Sequence, residues 1–166
     1  ATMKTAIALY ITKTTSTISL GTGGNSVGCK GGTTPKINYS ISSDTTQITA
    51  TVFDGTFVSS SQVLAASSSL VSGAGWIPIN LSSLVGGSPI SDMPLDPTNT
   101  IASGAGVVST DLVYRYACDS SDSTFEINAT LESSSIGAKK TKDGGNNSNL
   151  YETGTKLNIL GATATF

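Results

Sequence analysis

Histidine is absent from this chain, and cysteine, charge and aromatic side chains are all scarce. Each shortage removes a class of function. Without histidine there is no Ser-His-Asp or Cys-His arrangement, so the usual base of nucleophilic hydrolysis is missing. Two cysteines far apart and no histidine leave no ligand set for zinc. Charged residues make up only 12% and the net charge is −2, which gives no field to steer nucleic acid or an anionic membrane. Glycosidases need two carboxylates, usually set among aromatic sugar platforms. With aromatics at 6%, the pairs Asp92 with Asp96, Asp119 with Asp122 and Glu126 with Glu132 read as turn and surface groups. No apolar run reaches the roughly 18 residues that mark a membrane-spanning helix.

What the chain does have is length, glycine and hydroxyls. Its 166 residues make one domain, able to bury a substantial core, and 37% of them are apolar. The 18 glycines and abundant Ser and Thr give an uncharged but hydrated surface of the kind common in exported proteins. In such a protein Cys29 and Cys118 are expected to form a disulfide, worth about 4 kcal/mol for so long a loop. Two separate buried thiols are the alternative. The chain opens inside a helical pattern without an initiator Met, and is expected to be a fragment whose start was removed by processing or by design.

Residues 3–13 read as an amphipathic helix, with Met3, Ala6, Ile7 and Tyr10 at i, i+3, i+4 and i+7. The glycine-rich stretch 21–35 is a surface loop. Residues 36–42 and 47–53 alternate and are β-branched, so they predict a hairpin closed by Ser43–Thr46, with Asp54-Gly55 turning the chain afterwards. Residues 59–72 predict a short helix with Val63, Leu64, Ala66, Leu70 and Val71 inward. Gly73 and Gly75 close it.

Residues 75–99 hold the only tryptophan and four of the five prolines. Each proline fixes φ and excludes helix from the residue before it, so this is a defined, extended connector. Trp76, Ile77, Ile79, Leu81 and Leu84 are expected to pin it to the core, with Asp92 and Asp96 as turn formers. After a small-residue loop at 100–109, residues 111–118 and 123–133 predict a second hairpin through Asp119–Asp122. Tyr114 and Tyr116 share one face of it. Phe125, Ile127, Ala129 and Leu131 share one face of the partner strand. A long loop at 134–149 follows, then a last short strand around 156–160. The absence of β-α-β alternation argues against a parallel doubly wound sheet. The expected fold is α+β, a single domain (1–166) with an N-terminal helix on an antiparallel sheet, a short second helix and long loops.

Few motifs carry chemistry. Gly24–Gly28 matches G-x-S-x-G, but its flanks are loop and no histidine base exists. Lys139, Lys140 and Lys142 form a small basic knot, read as a solvated loop. Asn38, Asn80, Asn128 and Asn146 open formal N-glycosylation sequons, expected by chance in a Ser/Thr-rich chain. Residues 142–149 cluster oxygen ligands in a glycine turn with Glu152 just beyond. They miss EF-hand spacing, yet they make Asp143, Asn146 and Glu152 candidate calcium ligands, Asp143 first.

Four segments together resemble bacterial type IV pilin-like proteins, a group that includes the type II secretion pseudopilins. They are MKTAIALYITKT, GWIPINLSSLVGGSPISDMPLDPTN, LVYRYAC with STFEINATLES, and DGG with YETGTKLNIL. The likeness covers residues 1–13 and about 75–161, and the Pro-Leu-Asp-Pro-x-Asn run is its most specific part. It implies a pilin-like head: residues 1–13 as the end of a stem helix, 14–74 a variable region, 75–99 the connector, and 100–166 a C-terminal sheet and loop. The family's prepilin cleavage and methylation segment and its long hydrophobic helix are not in this sequence. The resemblance implies a non-enzymatic filament subunit on the cell surface or in a periplasmic pseudopilus. Its partners would be other pilins, reached through the missing helix, and surfaces, secreted proteins or DNA met by the head. The full-length form would sit in the membrane before assembly, while this fragment would be monomeric. In related pseudopilins a C-terminal loop binds calcium, which adds weight to Asp143. The alternative is a free-standing secreted binding module, which would expose Trp76 and tyrosines as a platform.

Overall fold

The computed structural model describes residues 2–15, 17–49, 56–102 and 106–162. Helix α1, Thr2–Lys13, forms where the apolar stripe predicts it, with Ala6, Ile7 and Tyr10 buried and Met3 and Ile11 packed at the edge of the same core. A four-residue helix α2, Asn25–Gly28, interrupts the glycine-rich loop. The sheet has five strands: β1 Lys36–Tyr39, β2 Ser59–Ser61, β3 Arg115–Asp119, β4 Thr124–Ala129 and β5 Tyr151–Gly154. Their spatial order is β2-β1-β3-β4-β5, antiparallel except for the β1–β2 pair, which is parallel. The fold is therefore α+β, with the N-terminal helix on a sheet that is mixed at one edge.

The β3–β4 hairpin is the one the alternation predicts. Tyr116 faces Ile127 and Cys118 faces Phe125. Its turn carries Ser123 at φ 51, the left-handed value a tight reversal demands. The connector also behaves as read. Trp76 is 1% exposed and donates its Nε1–H to the Pro94 carbonyl at 2.9 Å, while Ile77, Ile79 and Leu81 are fully buried. Gly75 is required there, because a Cβ would stand 2.0 Å from the Leu70 carbonyl oxygen. Asp96 accepts from the backbone N–H of Thr98 and Asn99, so it is a turn former.

Three expectations are overturned. The first hairpin does not form as read, because β1 has β2 on one edge and β3 on the other, leaving no edge for residues 47–49. Those residues are not strand; Ile48 gives its N–H to the Gln62 side chain instead. Residues 50–53 and the Asp54-Gly55 turn lie outside the described residues. The helix expected at 59–72 is reduced to α3, Ala65–Ser68. Serine-rich backbone is a weak helix former, and Ser59–Ser61 take a sheet edge instead. Leu64 and Leu70, expected inward, are 58% and 42% exposed. The last strand lies at 151–154 and not at 156–160. Past Thr155 the N–H groups of Ile159 and Leu160 go to a carboxylate, Glu126, and join no ladder.

The sheet is covered on both faces. On the front, Tyr116, Cys118, Phe125 and Ile127 meet α1 and the connector in one apolar core. On the back, Ile37, Tyr39 and Ala117 meet a second core supplied by loops, including Phe57, Val107, Leu150, Ile159 and Leu160.

Candidate functional site

The back face positions most of the polar chemistry. Strand register places Tyr39, Arg115, Asn128 and Glu152 directly opposite one another across β1, β3, β4 and β5. Such neighbours stand about 5 Å apart on one face. All four are buried. The Arg115 guanidinium donates to the carbonyls of Val108, Val113 and Asp111. Burial lowers its pKa from the ordinary arginine value to about 10, against the fields of Tyr39, Asp111 and Asp96. Neither side-chain amide atom of Asn128 has a hydrogen-bond partner among the described residues.

Beside this row Glu126 and Glu152 form a buried acid pair, 0% and 2% exposed. Glu126 Oε2 accepts from the Ile159 and Leu160 N–H at 2.7 and 3.0 Å. Burial, then its hydrogen bond to Glu152, pushes Glu126 up from 4.5 to about 8. Glu152 is raised too, by burial first and by the nearby Asp143 charge. Two such carboxyls cannot both ionise cheaply out of water, so they share a proton.

The calcium candidates lie at this pair. Asp143 accepts from Gly145 N–H at 2.9 Å and from Glu152 N–H at 2.7 Å, which folds the loop over β5. Glu152 Oε2 accepts from Asn147 N–H at 2.8 Å. One amide atom of Asn146 stands 3.1 Å from Glu152 Oε1 and 3.3 Å from the Leu157 carbonyl. Both neighbours are acceptors, so that atom is the amide nitrogen and donates to both. No group of three or more His, Cys, Asp or Glu side chains suited to a metal occurs among the described residues.

The disulfide expectation holds: Cys29 and Cys118 are bonded, with Cα atoms 4.7 Å apart. The bond fastens the glycine-rich loop to β3, and the Lys30 N–H to Cys118 carbonyl bond at 2.7 Å continues it. Of the carboxylate pairs, Asp119 and Asp122 do sit together, both on Lys156 at 2.8 and 3.1 Å. Asp92 is exposed while Asp96 is buried in its turn. Glu132 is exposed, so the partner of Glu126 is Glu152. Ser26 of the G-x-S-x-G match is exposed on α2, whose Asn25 side chain ties the Leu20 and Ile18 backbone together.

No protein-family model matches the chain, and neither a curated protein nor a solved structure does. Its function is therefore argued from its own residues.

Sequence reasoning paired Glu126 with Glu132 as a surface group, read Asn128 only as a sequon, and passed over Arg115. In FEINAT the alternation sets Glu126 and Asn128 opposite Phe125 and Ile127, which reads as a solvent face. The signal pointing the other way was the apolar content of the flanking loops, Val107, Val113, Ile159 and Leu160, which need a surface to cover.

Proposed function

We propose that the chain is the head of a subunit of a bacterial type IV pilus-like filament, exposed at the cell surface and working by contact, without catalysis. The observation that carries this reading is the seating of α1. Its Ala6, Ile7 and Tyr10 face fits against β3–β4 and the Trp76 connector in a single core. That is the helix-on-sheet layout the resemblance implies, assembled from the segments that carry it. A buried Trp76 also speaks against the secreted binding module with Trp76 in its platform. Antibodies raised against this chain should label filaments on intact cells. Label confined to the periplasm points to a pseudopilus subunit; free secreted protein with no filament overturns the reading.

A second reading is favoured by the oxygen content of the loop: it takes up calcium. Glu152 Oε1 and the Leu157 carbonyl, which Asn146 brings together, offer hard oxygens near the buried Glu126 carboxyl. Bound calcium would neutralise the acid pair. Asp143, whose oxygens both hold backbone N–H groups, then positions the loop. Calorimetry with calcium should give one site and a higher melting temperature that EDTA reverses; no heat and no shift would reject it.

A further inference from the structure

The 3-10 turn Gly137–Thr141, with no buried residue, stands as a ridge between two clefts. One, about 340 Å³, is lined by Ser135, Ala138, Lys139, Lys142, Asp143 and Tyr151. The other, about 410 Å³, holds Lys140 beside Ser109, Thr110, Thr130 and Asn149. Both reach the size of ordinary ligand sites. At three residues per turn, Lys139 and Lys142 share one side of the ridge and Lys140 is turned to the other. None of the three makes a side-chain hydrogen bond or ion pair with a described residue. Asp143 lines the same cleft but spends both oxygens on backbone N–H groups, so it pairs with neither lysine and offsets only part of their charge. An otherwise acidic chain, pI about 4.8, therefore carries at this ridge three lysines without ion pairs among the described residues, against two carboxylates, Asp143 and Glu132.

We infer that this ridge binds an acidic polysaccharide strand, a glycan whose sugars carry carboxylates at intervals. Three features select that class. The ammonium groups diverge over the ridge, so they suit charges spaced along a chain better than one compact phosphate. The second cleft sets hydroxyl and amide groups beside Leu112, Leu131 and one carboxylate, Glu132, along with Lys140, so it suits the hydroxyls of a sugar partner and leaves its carboxylates to the first cleft. Tyr151 offers one ring under the first cleft, enough for the apolar face of a sugar. Single-stranded nucleic acid wants successive stacking platforms and a longer basic groove. This inference gives the exposed head of the proposed subunit a partner, and rests on that reading only for its biological setting. Binding is a property of the isolated chain, so its failure leaves the filament reading to be judged on cell labelling.

The test is titration of the chain with an oligogalacturonide, with heparin and with a neutral galactan of similar length. Binding of the oligogalacturonide should weaken with added salt. Lys139→Gln with Lys142→Gln should weaken it about tenfold, as expected for lost charge-assisted contacts. Lys4→Gln with Lys13→Gln makes the same charge change on α1, whose lysines are exposed, and should leave binding unaltered. Melting curves confirm that both variants fold. No oligogalacturonide binding, equal weakening by the two double variants, or equal binding of neutral galactan would each overturn the inference. Tighter binding of heparin than of the uronate would make the partner a sulfated glycan and overturn the carboxylate assignment.

Discussion

The two faces of the sheet are built on different physics. The front buries apolar side chains against a helix and a Trp-anchored connector, and its polar atoms are few, as in Tyr116 Oη donating to the Leu20 carbonyl. The back buries a charged arginine, an acid pair and the Asn128 amide under loops. Stability on the front should depend on volume and hardly on pH. On the back it should depend on protonation. A carboxyl raised by burial is a group the folded chain would sooner keep neutral, and that ties the fold to pH.

The largest effect should come from the back face. Glu126 has an ordinary pKa of 4.5 and about 8 in the fold, so the folded chain holds a proton that the unfolded chain releases. Its contribution is fully present below pH 4.5 and is lost as pH rises to about 8, by up to about 5 kcal/mol. Denaturation across that range with EDTA present should show the fall, and Glu126→Gln should flatten it. Next is the front: Trp76→Ala should cost roughly 3–5 kcal/mol at every pH. A variant as stable as the parent would place that tryptophan on the surface. Reducing the Cys29–Cys118 bond, 89 residues apart, should cost about 4 kcal/mol, read as a drop in denaturation midpoint. The smallest effect belongs to Asp119. Burial raises its pKa, but bonds from Lys156 and Ser121 outweigh that and bring it from 3.8 to about 2. Its stabilisation holds above pH 3.8 and fades as pH falls through 2. Asp119→Asn should thus be slightly less stable at neutral pH and no different in acid, the opposite slope to Glu126.

The same contrast explains what could be read in advance. The stripe of α1, the β3–β4 alternation and the Trp-Pro connector rest on periodicity and proline geometry, which are local, and all three form. The β1 pairing was misread because alternation marks a strand without naming its partner; β1 joins β2 and β3 from distant parts of the chain. The Ile159–Leu160 segment looks like a strand by composition but is held by Glu126, a contact 33 residues away. Asp143, Asn146 and Glu152 were legible as a group because they lie within one loop and the strand after it. Glu126 and Asn128 were not, since only the covering loops turn their face from solvent to interior.

The central claim is that this chain is the head of a filament subunit, and the codons immediately upstream of Ala1 test it most directly. The account predicts a short basic leader, then Gly, Phe and a Glu within a long apolar run. A secretory signal peptide directly before Ala1 would contradict it.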